Sequence, residues 1–204
     1  DEVIAALRKT AVQLERDGVR VISTTYGPFA RFQRDVADAV SVPVYLSPLI
    51  QIPWIRVCLK KSERIAILCD DRLRVTHELL EACHVSFSDF ERIALHDVWD
   101  IPVLAKAKED GNRYDYTQVQ EAVAAHAKSL REQNPDIGAI LFECLRLPSF
   151  ARDIQAATNL PVYDAVTMLK YVAKGCMRRQ FEGRLSGRCL EVCSRWHLRD
   201  HEDA

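Results

Sequence analysis

Two positions in this chain could move protons. Cys144 ends the apolar run "IGAILFEC", Tyr26 follows the run "VRVISTT", and a helical pattern comes after each. A thiol titrates at about 8.5 and can be tuned toward neutrality, which suits removal of a proton from a carbon beside a carboxylate. A phenol titrates near about 10 and is the weaker base at neutral pH. A repeat links the two positions. Shifting residues 22–45 by 118 places lays "ISTTYGPFARFQRDVADAVSVPVY" over "ILFECLRLPSFARDIQAATNLPVY" without a gap. Phe32 then meets Phe150, Arg34-Asp35 meets Arg152-Asp153, and Pro43-Val44-Tyr45 meets Pro161-Val162-Tyr163. Tyr26 stands opposite Cys144, one in each unit. Open α/β sheets bind ligands beyond the carboxyl ends of their strands, so the pair is expected to face across one cleft.

The elements that must position this pair follow from periodicity. Val3, Ile4, Leu7, Ala11 and Leu14 recur at helical spacing, and Gly18 suits a C-cap. "VRVISTT", "VPVYLS", "RIAILCD", "RIALHD", "IGAILFEC" and "LPVYD" read as strands. Helices are expected over 29–40, 48–60 with Pro53 as a kink or boundary, 73–82, 116–133, 148–158 and 166–180. The stretch "KEDGNRYD", 108–115, reads as a loop. Strands alternating with helices imply an α/β fold with parallel sheets. With the repeat, this becomes two pseudo-symmetric Rossmann-like halves with a cleft between them. Residues 1–60 with 159–182 are assigned to the first half, 61–158 to the second, and 183–204 to a tail.

Composition narrows the function. The 204 residues carry a net charge of −1 and are 48% apolar, enough for a core and without the basic footprint of a nucleic-acid or acidic-membrane partner. No apolar run has the length of a membrane span, and the opening "DEVIAALRKT" is unlike a signal peptide. Seven scattered cysteines suggest reduced thiols and a cytoplasmic setting.

The stretches "GVRVISTTYGPFARFQ", "VPVYLSPLIQIP", "IGAILFECLRLP" and "LPVYDAVTML" resemble the aspartate/glutamate/hydantoin racemase superfamily, which includes maleate isomerases and arylmalonate decarboxylases. The resemblance runs to about residue 180. It implies a catalytic Cys after the strand in the first and third stretches. Cys144 matches the second of these, Tyr26 takes the place of the first, and Gly27 matches a Cys-Gly arrangement of the hydantoin-racemase-like branch. Leu145 stands where the family has a Thr that helps hold the substrate carboxylate. Family members place a strand and loop before the first helix, so the first half is expected to lack that strand here. The function implied is a cofactor-independent racemase or isomerase acting on a small carboxylate, amino acid or hydantoin-like compound. Cys144 is its acid/base and Tyr26 stands at the partner position, mainly as a filler of the vacated space. The alternatives are protonation by a single thiol after decarboxylation, and a degenerate member that binds a small ligand without turnover. No cofactor is expected, and a homo-oligomer is possible.

Further candidates line the expected cleft. Thr24 and Thr25 offer hydroxyls to a carboxylate or to their own turn. Ser47 and Gln51 open a helix whose N–H groups favour an anion, with an N-cap role for Ser47 equally open. Cys69 and Asp70 end a strand. Glu143 is expected to point away from Cys144, since neighbours on a strand face opposite sides. Cys144 is expected to react with iodoacetamide faster than Cys58 or Cys83. His77 and His96 read as lone histidines. Cys189, Cys193, His197 and His201 recur every fourth residue, but a straight helix spreads them over about 18 Å, so no metal site is assigned.

Overall fold

The computed structural model of the chain describes residues 2–111 and 113–178. Helix α1 (Glu2–Arg16) opens the chain and stops at Gly18, whose φ of 86° is left-handed and favours glycine. Strand β1 (Ile22–Ser23) leads through a 3₁₀ turn (Gly27–Phe32) into α2 (Gln33–Ala37) and β2 (Val44–Tyr45). A second 3₁₀ turn (Pro48–Gln51) precedes α3 (Ile52–Val57). Next come β3 (Arg64–Cys69), α4 (His77–Glu81), α5 (Phe87–Phe90), β4 (Ile93–Asp97), α6 (Pro102–Glu109) and α7 (Tyr116–Gln133). Strand β5 (Ile137–Phe142), α8 (Ala151–Thr158), β6 (Val162–Tyr163) and α9 (Ala165–Cys176) follow. Of the two roles expected for Pro53, the boundary holds: it stands in the first turn of α3, where its missing N–H is harmless, and does not kink the helix. Helix α6 begins at Pro102 in the same way and takes in Lys108 and Glu109 of the expected loop.

All strand pairs are parallel, β1 with β2 in one sheet and β4-β3-β5-β6 in the other. The central strands β3 and β5 are apolar throughout because both faces are covered. Ala66, Leu68, Ile140 and Phe142 pack under Val119, Val123 and Ala127 of α7. Ile65, Ile67, Cys69, Ala139 and Leu141 meet Ile52, Ile55, Leu79 and Leu80 on the other face. Ala11, Ile22, Val36, Val44 and Leu46 form a separate small core around α1 and the two-stranded sheet.

The repeat reappears as hydrogen-bond register. Ile22 pairs Val44 and Ser23 pairs Tyr45, while Ile140 pairs Val162 and Leu141 pairs Tyr163, each set 118 residues from the other. Ile22 N donates to Pro43 O at 2.9 Å, and Ile140 N to Pro161 O at 3.0 Å. The helices α2 and α8 begin at Gln33 and Ala151, again equivalent positions. β6 therefore lies beside β5, as β2 lies beside β1. Helix α9 instead docks on the turn at Pro48–Gln51, where the Gln51 amide donates to Asp164 O and the Thr167 hydroxyl donates to Gln51 Oε1. Residues 159–178 thus give a strand to the four-stranded sheet and a helix to the turn after β2.

Candidate active site

A cavity of ≈ 470 Å³ opens at the carboxyl ends of β3, β4 and β5. Its wall comes from the residues just past each strand: Asp70 and Asp71 after β3, Asp97, Trp99 and Asp100 at and after β4, Glu143 and Arg146 after β5. Tyr26 and Pro28, from the turn after β1, close one side, and Arg74, Val75 and Lys108 complete it. Parallel strands end together, so the fold collects these groups at one rim. The wall carries carboxylates, cations and two aromatic rings.

Most of the carboxylates are already engaged. Asp70 pairs with Arg146 at 3.7 Å, Asp71 with Arg74 at 3.1 Å, and Asp97 with Arg72 at 3.3 Å. Among the described residues no cationic side chain pairs with Glu143. It is 4% exposed, and its Oε2 accepts the Asp70 N–H at 3.2 Å. Burial raises its pKa, and the charges of Asp70 and Asp71 raise it further, against the lowering effect of the Asp70 N–H. The same side chain presses on Gly27, where a Cβ would collide with its carboxylate.

Alternation along β5 does set Glu143 and Cys144 on opposite faces, as expected. It is Glu143 that forms the cavity wall. Cys144 continues the register of Ile140 and Phe142 into the core beneath α7 and α8. It is 5% exposed, and burial pushes its thiol up to about 12. Two backbone N–H groups, of Arg146 and Leu147, point at its sulfur and favour the thiolate, while Asp70 and Glu143 oppose it. The expectation of fast alkylation at Cys144 does not fit this setting, since Cys58 is exposed and Cys144 is not. Sequence reasoning passed over Glu143 because periodicity cannot say which face of a covered strand opens. The usable signal was a lone carboxylate at the end of an apolar run, since buried acids are rare without a role.

Tyr26 is 42% exposed, with its ring edge-on to Phe29 at 5.2 Å. Its hydroxyl has no hydrogen-bond partner among the described residues. Trp99 is more constrained. Its indole N–H donates to Asp70 O at 2.7 Å, Lys108 Nζ stands 4.2 Å from its ring centroid, and the Arg146 guanidinium 4.9 Å.

The other candidates lie around this site. Thr24 donates its hydroxyl to Leu46 O, satisfying the β1–β2 loop ends, and Thr25 is half-buried without a side-chain hydrogen bond among the described residues. Ser47 is buried and caps its turn by accepting the Leu49 N–H, and Gln51 is committed to α9. Cys69 is buried with its thiol on His96 O, and burial, then Glu143, raises its pKa. Leu145 is exposed and does not line the cavity. His77 lies edge-on to Phe87 and Phe90 beside Glu81. His96 neighbours His126, and each has a buried Nε2 without a hydrogen-bond partner among the described residues. Cys189, Cys193, His197 and His201 lie outside the described residues. No group of three or more potential metal ligands occurs among the described residues. No described helix is long and apolar enough to cross a membrane.

Solved structures share this architecture. Unliganded arylmalonate decarboxylase superposes with a TM-score of 0.57 at 16% identity, over 91% of this chain and 80% of that one. Glutamate racemase from Aquifex pyrophilus gives 0.51 at 14% identity, over 87% and 67%. Allantoin racemase from Klebsiella pneumoniae gives 0.50 at 18% identity, over 90% and 74%. The chain has the Asp/Glu racemase superfamily fold. No known family profile matches the sequence. Curated proteins similar in sequence include lyases. A dimethylsulfoniopropionate lyase of Durusdinium sp. clade D is 31% identical over 163 residues, 78% of this chain and 53% of that protein. Dimethylsulfoniopropionate lyases 5 and 6 of Emiliania huxleyi (strain CCMP1516) are 27% and 32% identical, over 82% and 76% of this chain. The chain spans only 36% and 42% of those two proteins.

These relatives overturn the expected racemase or isomerase function and point to a lyase. The physical reason for the error is specific. Racemisation and β-elimination both begin by removing a proton beside a carboxylate. They diverge only if the substrate carries a leaving group on the next carbon, and no residue pattern in the sequence reports that.

Proposed function

We propose that this chain carries the site of a carbon–sulfur lyase acting on dimethylsulfoniopropionate or a close β-sulfonio carboxylate. The observation that carries the reading is the cavity's mixed wall. Such a substrate is a small zwitterion, and the wall offers carboxylates and aromatic faces to the sulfonium and Arg or Lys to the carboxylate. The names of the sequence relatives supply the substrate class.

The reaction needs one base. A base takes the α-proton, the C–H pair becomes the carbon–carbon double bond, and the C–S pair leaves on sulfur as neutral dimethyl sulfide. Acrylate remains, and the base returns its proton to solvent. The leaving group needs no acid, so a second thiol opposite Cys144 is not required. Cys144 is the base in this reading, its thiolate favoured by the N–H groups of Arg146 and Leu147, and the reading requires its sulfur, packed into the core in the free chain, to turn toward the substrate. Glu143 and Asp70 repel its thiolate in the free chain, and a bound sulfonium would offset both charges. A second reading gives the proton to Glu143, because that carboxylate itself faces the cavity.

Dimethyl sulfide release from the full chain, measured by headspace gas chromatography between pH 6 and 10, tests both. With Cys144 as base, the rate climbs through the alkaline range and Cys144→Ala loses about 100-fold or more. With Glu143 as base, the profile is flat above neutrality and Glu143→Gln carries that loss. No release from folded protein at any pH would end the lyase reading.

A further inference from the structure

The cavity has two aromatic rings with different occupants. Trp99 already holds the chain's own cations, Lys108 and Arg146, over its ring. Among the described residues no cation stands over Tyr26. Its ring is exposed to the cavity and steadied edge-on by Phe29, and its hydroxyl has no hydrogen-bond partner among the described residues. The next residue, Gly27, touches Glu143, so the ring and that carboxylate share one end of the cavity. Glu143 lacks a cationic partner among the described residues, unlike Asp70, Asp71 and Asp97. Within the wall, cationic side chains gather around Trp99, while among the described residues none stands over Tyr26 or pairs with Glu143.

Building on the lyase reading, we infer that Tyr26 is the onium receptor of the site, its ring face and the neighbouring Glu143 carboxylate binding the sulfonium of the substrate. A sulfonium bearing methyl groups has no N–H or O–H to donate, so an aromatic face and a nearby negative charge are the partners open to it. The carboxylate of the same ligand then points to Lys108 and Arg146. The phenol in place of a thiol becomes a specificity device for a cationic β-substituent, neither a filler nor an acid.

The test uses two unreactive ligands of equal shape, 3-(trimethylammonio)propanoate and its uncharged tert-butyl isostere 4,4-dimethylpentanoate. Both are titrated calorimetrically into the full chain, its Tyr26→Phe variant and its Tyr26→Leu variant. Wild type is expected to prefer the cationic ligand by about 10-fold or more, with the preference kept by Tyr26→Phe and lost in Tyr26→Leu. Equal binding of the two ligands, binding of neither, or a preference that survives in Tyr26→Leu would overturn the assignment. So would loss of the preference in Tyr26→Phe, which keeps the ring. Dimethyl sulfide release is scored separately. A ring-dependent preference without release sinks the lyase reading and leaves the onium site standing. Release with no ring-dependent preference does the reverse.

Discussion

Replacing Gly27 by Ala puts the contact between the two turns to a direct test. The backbone there is not left-handed, so alanine adds no strain of its own. It adds one methyl group, and that methyl lands on the Oε1, Cγ and Cδ atoms of Glu143. The carboxylate is enclosed, so it cannot step aside freely. Overpacking of this kind costs about 1–3 kcal/mol. Displacing the carboxylate also breaks its bond from Asp70 N, worth about 1 kcal/mol. A total near 3 kcal/mol lowers the melting temperature by about 6–12 °C for a domain of this size. Calorimetric melts of Gly27→Ala, Glu143→Ala and the double variant read it out. The double variant should recover much of the loss, with a coupling of about 2 kcal/mol, because the clash needs both partners. A Gly27→Ala melt within about 2 °C of wild type, or strict additivity in the double variant, would refute the contact.

Three further outcomes follow from burial. Glu143 has a raised pKa, so its native state holds a proton more tightly than the unfolded chain, and stability falls as pH rises from the unfolded value of about 4.3 through the raised native one. Glu143→Gln, which can still accept the Asp70 N–H, should therefore raise the melting temperature near pH 8 and lose that gain below pH 4 (thermal melts across pH). His96 and His126 are both held below their usual pKa, first by burial, so the unfolded state takes protons first as pH falls below about 6.5. His126→Gln should flatten the loss of stability between that value and the lowered native ones, and an unchanged acid slope would count against the pair. Brief iodoacetamide labelling followed by peptide mapping should find Cys58 modified well before Cys144, because access and thiolate fraction both favour the exposed thiol.

The fold was legible where a pattern had one physical reading. The span of α7 and the apolar runs of β3 and β5 stand at their expected places, since amphipathic periodicity and double-sided burial leave little choice. The 118-residue offset proved a statement about hydrogen-bond register as well as about letters. Short elements were less legible. The expected helix over 29–40 is a 3₁₀ turn followed by one brief α-helical stretch, and α6 passed unnoticed because a proline pair of signals, stop and start, looks alike in sequence. The site was half legible. Strand ends named the right turns, and so brought Tyr26 and the Glu143-Cys144 pair to attention. Which of those two neighbours faces the cavity depends on how helices cover the sheet, a long-range fact that no local spacing encodes. Trp99, Lys108 and Arg146 stood out in no motif, because they meet only once β4, α6 and β5 are assembled.

The matched ladders of β1 with β2 and of β5 with β6 also bear on how such a protein can change over generations. What the two units share lies in their paired strands, Ile22 with Val44 and Ile140 with Val162, where a one-residue slip would move every side chain to the opposite face of the sheet. What they do not share lies in the turn that follows, where one carries Thr-Tyr-Gly and the other Glu-Cys-Leu. A duplicated unit of this kind can drift at the turn while its ladder stays under purifying selection. A side chain exchanged at that turn then alters what the rim presents and leaves the frame intact. One ancestral architecture can in this way be recruited to a new substrate by very few codon changes, all of them at positions the ladder does not use.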